Sequence, residues 1–82
     1  MLRKRSLTLS GHPTSLALEP EFWAALEAMA GAEQASIAAV IGRIDRARAQ
    51  RPLASACRVA ALDWALRRAM DPGPPVRLAS LA

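Results

Sequence analysis

Apolar and polar residues alternate twice near the start of this chain, with opposite parity. Leu7 and Leu9 alternate with Ser6, Thr8 and Ser10, and Leu16 and Leu18 alternate with Ser15 and Ala17. Period-two alternation predicts a strand with one apolar face. Odd positions are apolar in the first run and even positions in the second. A single continuous strand would therefore turn the two leucine pairs to opposite faces. Gly11-His12-Pro13 must be a turn, bulge or break, and the alternation alone does not say whether the chain doubles back or kinks there.

The period then changes from two to that of a helix. Pro20 opens a first helix running to about Ala32, since a proline at the first helical position loses no hydrogen bond. Phe22, Leu26, Met29 and Ala30 recur at helical spacing and are predicted to face the core, with Trp23 covering the edge of that stripe. Ser36 is a good N-cap for a second helix. Ile37, Val40, Ile41 and Ile44 follow at i, i+3, i+4 and i+7, the cleanest amphipathic signal in the chain. Pro52 ends this element at the latest. A third helix is predicted from about Ser55 to Met70, with Val59, Leu62, Leu66 and Met70 spaced for one face. Asp71-Pro72-Gly73-Pro74-Pro75 stops it. The domain division is a flexible basic arm over residues 1–5, a folded unit over 6–70 and a Pro-rich flexible tail over 71–82.

Composition narrows the options. The 82 residues allow one domain. The apolar fraction of 52% includes 19 alanines, which bury little area. Only 23 residues are large and apolar, five of them near the termini, so the core is thin and self-association is expected. One cysteine, Cys57, excludes an internal disulfide. No cysteine–histidine cluster suggests structural zinc, and no cofactor is expected. No apolar run has membrane-spanning length, and no signal-peptide core follows the basic start, so a cytoplasmic protein without a membrane partner is expected.

Charge is unevenly distributed along the chain. Residues 1–18 carry +3, residues 19–34 carry −4, residues 35–51 carry +3 and residues 52–82 carry +2. A basic front followed by an acidic first helix suggests that the front meets a polyanion.

Two stretches carry a family resemblance. They are Arg5-Ser6-Leu7-Thr8-Leu9-Ser10-Gly11-His12-Pro13-Thr14-Ser15-Leu16 with Leu18-Glu19-Pro20-Glu21-Phe22-Trp23, and Leu53-Ala54-Ser55-Ala56-Cys57-Arg58-Val59 leading into the third helix. Together they resemble a small bacterial family of ribbon-helix-helix domain proteins with an Arc/MetJ-like fold, over roughly residues 5 to 68. The resemblance implies a mainly α fold with a short β-strand, an intertwined homodimer and an additional C-terminal helix. One strand from each chain would pair antiparallel and lie in the major groove of double-stranded DNA. The dimer core would be Leu16, Leu18, Phe22, Leu26, Ile37, Val40, Ile41 and Ile44.

Candidate DNA-binding residues follow from the alternation. Ser6, Thr8 and Ser10 lie opposite in parity to Leu7 and Leu9, and Ser15 and Ala17 to Leu16 and Leu18. Arg3, Lys4 and Arg5 would reach phosphates, and His12 would touch a phosphate or hold the turn. Free amides at Ser36 and Ile37, with the helix dipole, make an anion site. Ala17 and Pro13 fit this chemistry poorly, because neither side chain can hydrogen-bond a base edge.

The leading reading is a dimeric, DNA-binding transcriptional regulator. The alternative is an antitoxin-like or scaffold module that binds a protein partner, with weak or no DNA binding. An enzyme is not expected. The acids are scattered along helix one, and the lone His and Cys make no recognisable catalytic arrangement.

Overall fold

The computed structural model describes residues 1–70. They form β1 (Arg3–Leu9), β2 (His12–Leu18), α1 (Pro20–Glu33), α2 (Ile37–Ala47) and α3 (Leu53–Met70). The expectation of a tail over residues 71–82 lies outside the described residues.

The parity reversal has a simple origin. β1 and β2 pair antiparallel within one chain, with Leu9 opposite His12, Leu7 opposite Thr14, Arg5 opposite Leu16 and Arg3 opposite Leu18. Cross-strand partners share a face, and each pair joins an odd position to an even one. Leu7, Leu9, Leu16 and Leu18 therefore lie on one side of the ribbon. The chain doubles back at Ser10 and Gly11, both with positive φ (52° and 80°), not over Gly11-His12-Pro13 as expected. Two such residues in succession make the two-residue turn whose twist matches a hairpin. His12 and Pro13 belong to β2. Such a turn hydrogen-bonds its flanking pair, Leu9 with His12. The next pair, Thr8 with Pro13, then falls at a non-hydrogen-bonded site, where Pro13 forfeits nothing.

Three expectations need correction. The described sheet pairs two strands of one chain, β1 with β2, where the expected ribbon took a single strand from each chain. Residues 1–5 are not a free arm, because β1 begins at Arg3. The cause is Trp23. Its indole N–H donates to the Arg3 carbonyl at 2.8 Å, and the Arg5 guanidinium stacks on its ring at 4.4 Å. Trp23 is accordingly buried and Phe22 only half-buried, the reverse of the expected order.

α1 starts at Pro20 and ends at Glu33, where the capping residue Gln34 adopts a left-handed conformation (φ 55°). Ala35 N–H then reaches back to the Ala30 carbonyl at 2.9 Å, satisfying an end carbonyl and turning the chain sharply. α1 and α2 meet at a bend of 102°. Ser36 caps α2 as expected, its Oγ accepting from Ala39 N–H at 3.0 Å. Val40, Ile41 and Ile44 are buried, and Ile37 is half-buried.

α1 lies against α2, α3 and β2, while α2 flanks β1 and α3 flanks β2. The helices cover the leucine face of the hairpin. The core contains Leu16, Leu18, Trp23, Leu26, Val40, Ile41 and Cys57. Most of the residues expected at the centre of a dimer are thus enclosed in one chain. α3 contributes Ala56, Cys57 and Ala61 to this core and leaves its larger stripe outside. Among the described residues no single helix is long and apolar enough to cross a membrane.

Candidate nucleic-acid interface

The hairpin has two chemically distinct faces. The register that turns the leucines toward the helices turns Lys4, Ser6 and Thr8 of β1, with Pro13, Ser15 and Ala17 of β2, the other way. Lys4, Ser6, Thr8 and Ser15 are exposed, and Ala17 is partly covered. Ser6 lies directly across from Ser15, Lys4 from Ala17 and Thr8 from Pro13. The two hydroxyls at the middle rung each offer one donor and two acceptor lone pairs.

This polar face continues beyond the ribbon. A shallow groove separates the hairpin tip from the start of α2, lined by Thr8, Ser10, Ser36, Ala39, Gly42 and Arg46 among others. The first turn of a helix leaves amides without intrahelical partners. Ser36 Oγ takes that of Ala39, which leaves those of Ile37 and Ala38 directed out of the helix end. The partial positive charge there favours an anion. Arg46 reinforces it. A Cβ added at Gly42 would stand 3.5 Å from Arg46 Nη1, so the guanidinium folds back over Gly42 toward the start of the helix. Sequence reasoning did not single Arg46 out. Its one signal is the glycine four residues earlier, which clears a path along that face.

The remaining expected contacts separate from this surface. Arg3, Arg5 and His12 belong to the leucine side of the ribbon by register. Arg3 and His12 stay exposed. Arg5 is engaged, with Nη1 donating to Glu27 Oε2 at 2.9 Å while the guanidinium stacks on Trp23. Ser10 lies in the turn between the strands.

The acidic first helix has an internal use that the charge blocks did not reveal. Glu27 pairs with Arg5 of β1, Glu33 with Arg43 of α2, and Glu19 with Arg58 of α3. Hydrogen bonding from Arg58 holds the Glu19 carboxyl below its ordinary pKa, and Arg43 does the same for Glu33. Asp45 and Asp63 pair with Arg48 and Arg67 on their own helices or helix ends. Among the described residues, Arg3, Lys4, Arg46, Arg51 and Arg68 have no acid within ion-pairing distance. Lys4 and Arg46 border the polar face of the ribbon and the groove.

No curated protein and no solved structure matches the chain. The ribbon-helix-helix domain matches residues 2–65, from the start of β1 through most of α3. Such domains are in general non-enzymatic, DNA-binding and dimeric. With two antiparallel strands leading into two helices at a steep angle, and a sequence match over most of its length, this chain belongs to the ribbon-helix-helix domain family.

Proposed function

We propose that this protein is a bacterial, cytoplasmic transcriptional regulator that lays the outward face of its hairpin in the major groove of double-stranded DNA. The observation that carries the reading is the continuity of one surface. Lys4, Ser6, Thr8 and Ser15 run along the ribbon, and Thr8 and Ser10 share a groove with Ser36 and Arg46 at the open end of α2. A two-stranded ribbon fits the roughly 12 Å width of the major groove. With the ribbon seated, the α2 amides and Arg46 would meet the phosphate backbone, and regulation would follow from occupancy of the site.

The residue types set what such a complex can read. Serine and threonine hydroxyls pair with several base edges, Ala17 offers at most contact with a thymine methyl, and Pro13 donates nothing. Phosphate contacts through Lys4, Arg46 and the helix end would supply most of the affinity and little discrimination. Arg5 is a poor candidate for a phosphate contact, because its guanidinium is shared between Glu27 and Trp23.

Fluorescence anisotropy on duplex DNA at about 50 and about 200 mM salt tests this reading. Affinity should fall steeply with salt. Lys4→Ala and Arg46→Ala should each weaken binding and flatten the log–log salt slope by about 0.9 for each phosphate that is no longer neutralised. Ser6→Ala and Ser15→Ala should alter preference among duplexes more than overall affinity. No binding at the lower salt by the folded protein would overturn the proposal.

A further inference from the structure

Lys4 sits where a ribbon is weakest. Arg3 with Leu18 is the last rung of the two-stranded ladder, and Lys4 with Ala17 is the rung before it. Met1 and Leu2, beyond that end, are exposed. A two-stranded ribbon is marginally stable by itself, and the end away from its turn frays first. Here both neighbours of Lys4 are held from behind by α1. The Trp23 indole N–H donates to the Arg3 carbonyl at 2.8 Å, and the Arg5 guanidinium lies 4.4 Å from the centre of the same ring. Glu27, one turn along α1 from Trp23, accepts from Arg5 Nη1 at 2.9 Å. Trp23 is 2% exposed, so this clamp is anchored in the core.

We propose that Trp23 is a positioning residue for the nucleic-acid interface: by gripping Arg3 and Arg5 it fixes the strand so that Lys4, between them, presents its ammonium group on the outward face. Successive side chains of a strand point to opposite faces, so two neighbours turned toward α1 turn Lys4 away from it. The two cations then divide the work. Arg5 fastens the strand, with its charge answered by Glu27 and the indole face. Lys4 is exposed and has no acid within ion-pairing distance among the described residues, which leaves its charge for a phosphate. Holding Lys4 in place before binding removes an ordering cost that a loose basic end would meet on the DNA. This role for Trp23 rests on the ribbon reading of the hairpin.

The indole N–H is the part of the clamp that a packing role does not need. Phenylalanine at position 23 would keep an aromatic face for Arg5 and most of the buried surface, and would leave the Arg3 carbonyl without this donor. A hydrogen bond of ordinary net strength changes an opening equilibrium by about fivefold. The change should stay local to residues 1–5, because the other end of the hairpin is closed by the turn at Ser10 and Gly11.

Two readouts on Trp23→Phe test this role, one of them without DNA. Limited trypsin digestion with mass spectrometry follows cleavage after Arg3, Lys4 and Arg5, which tracks how often the strand opens. That cleavage should quicken by about fivefold in Trp23→Phe. It should not quicken in Met29→Ala, a truncation of a buried residue beside Ile44 and Ala60 that controls for lost packing. Glu27→Gln loosens the grip on Arg5 at an exposed position, should quicken it by a smaller factor, and keeps the test standing if Trp23→Phe does not fold. Fluorescence anisotropy on duplex DNA at about 50 mM salt is the second readout. A strand end opens at little cost, so Trp23→Phe should weaken binding by about two- to fivefold. It should add nothing to Lys4→Ala and its full effect to Arg46→Ala, a pattern that lost packing does not produce. Unchanged cleavage in both clamp variants, or an equal loss of affinity with and without Lys4, would overturn the positioning role and leave the ribbon reading standing. A folded wild type that binds no duplex would overturn the ribbon reading and this role with it, whatever the digest shows.

Discussion

α2 and α3 each carry an apolar stripe at helical spacing, and the two meet opposite fates. On α2, Val40, Ile41 and Ile44 are buried among β1, α1 and α3. On α3, Val59, Leu62, Leu66 and Met70 face outward, and the smaller Ala56, Cys57 and Ala61 face the core. The difference lies on the opposite face of each helix. Behind its stripe α2 is polar, with Arg43 and Arg46, so only one side can be buried. α3 is apolar on two sides, because Leu53, Ala54, Ala60 and Trp64 extend the small-residue face. Trp23, Leu18, Leu26, Ile41 and Val40 already fill the centre, and a helix that presents alanine and cysteine can fit closely against them. Periodicity thus finds a face, while the volume left by neighbouring elements decides which face is covered.

The sharpest way to break this contrast is to truncate both stripes. Ile41→Ala should cost about 3 kcal/mol by urea denaturation, because a side chain with no exposure leaves a cavity in a small core. Leu62→Ala should cost less than about 0.5 kcal/mol. Comparable losses at both positions would mean that the α3 stripe is covered.

A slightly smaller effect tests the inner face of α3. Ala61→Leu adds three carbons where there is almost no exposure, and should cost about 2 kcal/mol through overpacking. Cys57 reports on the same interface without mutation. Burial pushes its thiol from 9.0 up to about 11. Thiol reagents should therefore label it at pH 8 only after unfolding. A thiol whose pKa is raised in the folded chain contributes stability below the unfolded value. That contribution should disappear as pH climbs from about 9 through about 11.

Several features were legible in the sequence for reasons these comparisons make plain. The α2 stripe has a polar opposite face, so its orientation followed from spacing alone, and Ser36 announced the start. The parity change between Leu7/Leu9 and Leu16/Leu18 marked a break between the two runs, but a reversal and a bulge both bring odd and even positions to one face, so the hairpin itself was not decided by it. The choice between Phe22 and Trp23 was not legible. They sit about 100° apart on the helix, and a tertiary contact decides between them: the indole N–H finds the Arg3 carbonyl, while Phe22 lies beneath Arg58 at 5.8 Å. For the interface, alternation identified the outward ribbon residues. Arg46 escaped because its groove exists only once the hairpin tip lies beside α2. The acidic block on α1 suggested a distant polyanion, yet three of its glutamates answer arginines from three other elements.

The turn and the cap are expected to matter less than the core, by similar amounts. Gly11→Ala meets no steric neighbour, but a φ of 80° disfavours any Cβ, so a loss of about 1 kcal/mol is expected from backbone preference alone. Ser10→Asn should stabilise the same turn, because asparagine tolerates the left-handed conformation better. Ser36→Ala removes the acceptor for Ala39 N–H and should cost about 1 kcal/mol. If Gly11→Ala proved neutral in thermal melts while Ser36→Ala did not, the hairpin would be loosely held in comparison with α2.

The weakest expected effect ties the two helices back to α1, and it is symmetric where their stripes are not. Arg43 of α2 grips Glu33 at the end of α1 through two hydrogen bonds, and Arg58 of α3 grips Glu19 at its start at 2.9 Å. Each arginine holds its carboxyl partner below the ordinary value of 4.5. A carboxyl depressed in the folded chain adds stability above the unfolded pKa, and loses it as pH falls through the folded one. Stability should therefore be level down to about pH 5 and decline below 4.5. Glu19→Gln and Glu33→Gln should each flatten part of that decline and lower stability slightly at pH 7, because exposed pairs contribute little. Equal flattening by the two variants would mean that α2 and α3 are moored alike. A flattening confined to Glu33→Gln would show that only α2 depends on its ion pair, with α3 held by the close fit of its small inner face.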